Sequence, residues 1–123
     1  MAHRQLTEVV DVKLITCIVE RGQADNVIQH VLDLGGVGAT TYFARGRGIR
    51  EKMGVWGVAI DTEKEVIEFI TSTESCESLM KQIAIFAHLD EPGRGVVFST
   101  QLDALYTHVP EEVQHAANSR SGS

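Results

Sequence analysis

Arginine and glycine alternate through Ala44-Arg-Gly-Arg-Gly-Ile-Arg-Glu-Lys-Met-Gly54, which gathers Arg45, Arg47, Arg50 and Lys52 against one acid, Glu51. Four bases against one acid give a local charge of +3. The whole chain, with 11 basic and 17 acidic residues, carries −6, so the remainder carries −9 and the positive charge is concentrated here. Glycines between arginines let backbone N–H groups and guanidinium forks approach one anion together, as phosphate or carboxylate recognition requires. A solvated hairpin with a β-bulge satisfies the same pattern. A second pair, Gly93-Arg94-Gly95, follows Pro92 and repeats the chemistry on a smaller scale; its alternative is a tight turn whose glycines supply positive φ.

The other chemistry-bearing residues point to less. His3, His30, His88, His108 and His115 show no H-x-H or H-E-x-x-H spacing, so no metal site is expected. His88, near a helix end, reads as a partner of the helix dipole or a polar interface residue. Glu63, Glu65 and Glu68 alternate as a solvated strand face would, and no nucleophile stands beside a base, so no catalytic residue is assigned. Trp56 reads as loop packing, and the aromatic motifs of an RNA-binding sheet are absent. The net negative charge also argues against a nucleic-acid binder. Cys17 and Cys76 form neither a C-x-x-C pair nor a disulfide framework, which suits a reducing cytoplasm.

These residues must be positioned by a small scaffold. A chain of 123 residues with 43% hydrophobic and 23% charged residues has the size and composition of one globular domain. No stretch approaches the ~18 apolar residues of a membrane span, and the start has no apolar signal core, so the expected protein is not membrane-inserted. Lys13 to Glu20 (KLITCIVE) reads as a strand apolar on both faces. Ala24, Val27, Ile28, Val31 and Leu32 trace one helical face, with Asp25 in the first turn and Gly35 placed to cap the end. Ala39 to Ala44 reads as a second strand and Val66 to Thr71 as a third. Ser72 or Thr73 is the expected N-cap of a second helix through Cys76, Leu79, Met80, Ile83, Ala84 and Ala87. That helix stops before Asp90-Glu-Pro-Gly, and Val96 to Thr100 is the fourth strand.

Two successive βαβ halves predict an α+β, ferredoxin-like βαββαβ sandwich: a four-stranded antiparallel sheet with two helices on one face. The first strand is apolar on both sides, and Phe69 or Ile70 must point away from the helices, so the open face calls for self-association. Residues 1–12 are expected to form a mobile arm, 13–110 the domain and 111–123 a mobile tail.

Over about residues 13–110 the chain resembles the PII signal-transduction proteins. The family pattern Gly-Met-Thr-Val-Thr, followed after a few residues by Gly-Phe-Gly, is similar to Gly38-Ala-Thr-Thr-Tyr42 followed by Gly46-Arg-Gly48. The family's Ile-Glu strand matches Ile67-Glu68, and its Gly-x-Gly-x-x-Phe B-loop matches Gly93-Arg-Gly-Val-Val-Phe98. The resemblance implies a homotrimer binding an adenine nucleotide in clefts between subunits. Thr40, Gly46, Arg47, Gly48, Gly93, Arg94 and Gly95 would approach the ligand, Ile70 would line the base, and Arg50 would add charge.

Departures from the pattern refine that expectation. Val96 stands where classical members carry a phosphate-binding lysine, and Thr107 and Val109 where two arginines are expected. Three such contacts at ~1.5 kcal/mol each total about 4.5 kcal/mol, more than a thousandfold in affinity unless Arg47, Arg50 and Arg94 substitute. The T-loop is about five residues shorter and has no tyrosine, which argues against uridylylation. Short-loop relatives are associated with inorganic carbon uptake, so the expectation is a cytoplasmic, non-enzymatic sensor of AMP, ADP or ATP, with bicarbonate as a possible co-ligand. It would control a transporter or an enzyme. The alternative is a structural or metal-binding ferredoxin-like trimer with no nucleotide response.

Overall fold

The structure, a computed structural model, describes residues 6–34, 38–46 and 62–108. Among the described residues, six strands and two helices follow in the order β1 (Thr7–Glu8), β2 (Val12–Glu20), α1 (Ala24–Asp33), β3 (Thr40–Gly46), β4 (Thr62–Ser72), α2 (Thr73–Phe86), β5 (Gly95–Gln101) and β6 (Tyr106–Thr107). The chain divides into two compact units, residues 11–101 and residues 1–10 with 102–123. In the larger, the strands form an antiparallel sheet in the order β3-β4-β2-β5. This is the βαββαβ arrangement expected from the sequence. In the smaller, β1 pairs with β6 through Thr7↔Thr107 and Glu8↔Tyr106, and the Val9 N–H donates to the Leu105 carbonyl at 2.8 Å. Two-residue strands carry no readable periodicity, so Thr7–Glu8, within the arm expected over residues 1–12, is a strand the sequence does not signal.

Strand parity divides the sheet residues between its faces. Ile15, Cys17 and Val19 of β2 and Ile67 and Phe69 of β4 turn inward and join Ala24, Val27 and Val31 of α1 and Cys76 and Ile83 of α2 in one core. Leu32, the last residue of the expected α1 stripe, is 40% exposed instead. The Gly35 cap expected there lies outside the described residues, and Leu34 is the C-cap.

The ends of α2 are made by local chemistry. Ser72 is the N-cap, its Oγ accepting from the Ser75 N–H at 3.1 Å. At the other end, the Leu89 N–H reaches the Ala84 carbonyl at 2.9 Å and the His88 N–H the Ile85 carbonyl at 3.2 Å, with His88 at φ 55°. These two bonds form a Schellman motif, which closes the helix through a residue in left-handed conformation. The backbone of His88 thus terminates α2.

Candidate functional site

The face of the sheet turned away from the helices carries Leu14, Thr16 and Ile18 of β2, Val66, Glu68 and Ile70 of β4, Thr40 and Tyr42 of β3, and Val96 and Phe98 of β5. Between Phe69 and Ile70, which the sequence left open, Ile70 points outward, 40% exposed, while Phe69 is core. Tyr42, Val96 and Phe98 are 42–48% exposed, so a half-buried apolar surface continues across all four strands.

One row of this face is polar. The register sets Thr40 opposite Glu68, Glu68 opposite Thr16, and Thr16 opposite Phe98. Thr16 is the buried polar residue of the row, at 6% exposure. Tyr42 donates a side-chain hydrogen bond to Glu68; this bond first, then partial desolvation and the carboxylate's charge, raises the phenol above its ordinary pKa. Ile70 lies two residues along β4 from Glu68 on the same face. Thr40 and Ile70, two of the expected ligand residues, therefore share a face and an end of the sheet. Glu68 and Tyr42 sit with them, although neither is among the expected ligand residues. The signal was available in period two, because Glu68 must share a face with Ile70.

The glycine turns lie elsewhere. Gly46 pairs with Thr62 at the last rung of the β3–β4 ladder, and Gly95 pairs with Val19 near the end of β2. Both are towards the end of the sheet away from Thr40 and Ile70, on opposite edge strands that three interstrand spacings set about 14 Å apart. Gly93 has φ 79° and Gly95 φ 138°; a Cβ on Gly95 would stand 2.1 Å from the Ile18 carbonyl oxygen. The tight turn read as an alternative for these glycines is therefore present. Between them, Arg94 donates from Nε to the Ala87 carbonyl at 3.4 Å, at the C-terminal end of α2. Arg47, Gly48 and Arg50 lie outside the described residues. Among the described residues, Gly46 and Gly95 therefore end on opposite edges of the sheet.

Cys17 and Cys76 are buried free thiols, and burial pushes Cys17 up to about 11, which keeps it neutral at physiological pH. Among the described residues no group of three His, Cys, Asp or Glu side chains could hold a metal ion. No helix among them is long and apolar enough to cross a membrane.

No curated relative matches the chain by sequence. Its fold is similar to that of Arabidopsis thaliana PII bound to citrate, with 22% sequence identity and a TM-score of 0.59 over 75% of this chain and 78% of that one. The family model for nitrogen regulatory protein P-II matches residues 12–112, a span that begins with β2 and contains the whole four-stranded sheet and both helices. The chain belongs to the nitrogen regulatory protein P-II family of signal-transduction regulators.

Proposed function

We propose that this chain is a non-enzymatic sensor that binds an adenine nucleotide between the subunits of a homotrimer and passes its state to a protein partner. The observation that carries the reading is the grouping of Thr40, Tyr42, Glu68 and Ile70 on the outward sheet face. Ile70 offers an apolar surface to a flat base, and the Glu68 carboxylate and Thr40 hydroxyl offer hydrogen bonds to an exocyclic amine and ring nitrogens. The phosphates require donors from another surface, because Gly46 and Gly95 lie at the far end of the sheet on separate edges. A second copy that brings Gly93–Gly95 beside the β3 edge of the first would supply them. Members of the family bind small effector ligands and are regulatory rather than catalytic, and the Arabidopsis relative is bound to citrate, a small anion.

In this reading Arg47, Gly48 and Arg50, with Gly46, supply the charge on one side of the phosphates and Gly93, Arg94 and Gly95 the backbone donors on the other, both brought by neighbouring copies to the copy whose Thr40 and Ile70 hold the base. Bicarbonate is a second small anion suited to the same arginines. The partner is a transporter or enzyme of inorganic carbon uptake in the cytoplasm, regulated because ligand biases the states of the short basic loop.

Calorimetric titration of AMP, ADP and ATP, each with and without bicarbonate at low salt, tests the proposal. Saturable binding is expected with at least one nucleotide, and the double variant Arg47→Ala, Arg50→Ala is expected to lose it with the assembly mass unchanged. Unchanged affinity in the double variant would remove the basic loop from the mechanism. Absence of heat with every nucleotide would favour the structural or metal-binding trimer.

A further inference from the structure

On the opposite, helix-side face of the sheet lies a cleft of 410 Å³ lined by Arg21, Phe43, Ala44, Arg45 and Glu63, a volume within the range of small-molecule sites. Strand parity places Phe43 and Arg45 on one face of β3, and Arg45 pairs across the ladder with Glu63. Arg21, just after β2, reaches in from the turn before α1. Its Nη1 is 2.5 Å from Glu63 Oε2, and its guanidinium carbon lies 5.7 Å from the centroid of the Phe43 ring. Glu65 accepts the Gly22 N–H and so ties that turn to β4.

Three properties give the cleft a ligand preference. Phe43 is 68% exposed, an aromatic surface with a guanidinium already set over it. Arg45 is exposed and, among the described residues, has no hydrogen-bond or ion-pair partner. Two arginines against one glutamate leave the lining with one net positive charge. A guanidinium fork suits a carboxylate or phosphate in two-point contact, and an exposed ring suits a flat group stacked on it.

We infer that this cleft is a second ligand site, for an oxyanion carried on a flat ring, with Arg45 holding the anion and Phe43 the ring. Arg21 is the positioning residue: its exposed bridge to Glu63 holds it over Phe43, and its remaining N–H groups face the same anion. The site is separate from the outward face and stands whether or not a nucleotide binds there.

Phenyl phosphate, with inorganic phosphate as the ringless control, tests this by calorimetry and by amide chemical shifts of the full-length protein. Saturable binding is expected, about tenfold tighter for phenyl phosphate, with shifts centred on Arg21, Gly22, Phe43 and Arg45. Arg45→Gln is expected to weaken both ligands about tenfold, and Phe43→Leu to bring phenyl phosphate down to the level of inorganic phosphate. Both side chains are exposed, so the variants fold as the parent does. Shifts centred on Thr40, Glu68 and Ile70, or affinities unchanged in both variants, would overturn the assignment. So would loss of AMP binding in Phe43→Leu, because the two sites would then be one.

Discussion

Gly95 is held by two constraints at once, a φ of 138° and the Ile18 carbonyl 2.1 Å from where a Cβ would sit. That oxygen is backbone in the central strand β2, so relief requires a shift of the β2–β5 ladder. Gly95→Ala is expected to destabilise the fold by about 2 kcal/mol or more, read as a lower denaturant midpoint at an unchanged slope. The same residue belongs to the proposed phosphate turn, so a loss of ligand binding in a Gly95 variant would report folding as much as contact. His88 shows where residue-level reading stops. A histidine near a helix end invites an account based on charge, but its role here is backbone conformation, and left-handed φ is uncommon enough outside glycine to leave no pattern in one sequence.

At the scale of elements, α2 owes its start to one hydroxyl. Replacing Ser72 with alanine removes the acceptor 3.1 Å from the Ser75 N–H and should cost about 1 kcal/mol, measurable in the thermal midpoint with the fold unchanged. That cap was legible from the sequence, because a serine–threonine pair stood just before a helical stripe. The start of β4 was not. Its residues Glu63, Lys64 and Glu65 have little strand propensity, and the expected strand began at Val66. Their place comes from across the ladder, where Arg45 faces Glu63, Phe43 faces Glu65 and Glu20 faces Lys64. Backbone pairing with strands on both sides outweighs propensity there, and such pairing is invisible until the partner strands are known. The core was more legible, since inward residues of β2 and β4 and the stripes of both helices follow simple periods of 2 and 3.6. The site was legible in part: its glycines stood out as turns, whereas the grouping of Thr40, Tyr42 and Glu68 depends on register.

Across the whole molecule, the outward face sets the question of assembly. Ile70 on β4 and Val96 and Phe98 on β5, on either side of β2, are each 40–46% exposed, and a protein seldom leaves such an apolar surface uncovered. The proposed trimer covers it and joins ligand groups that one chain keeps apart. Light scattering at micromolar concentration should give a mass of three 13.5 kDa chains, and Phe98→Glu should reduce it to that of one chain. A single-chain mass for the unaltered protein would contradict both the trimer and the intersubunit site. The two cysteines of this chain, Cys17 and Cys76, are only 0% and 3% exposed. The folded protein therefore presents maleimide reagents with almost no native thiol. A cysteine introduced at Ile85, which is 75% exposed, would become the dominant attachment point for a fluorophore, so distances between copies could be followed by energy transfer without first deleting either native cysteine.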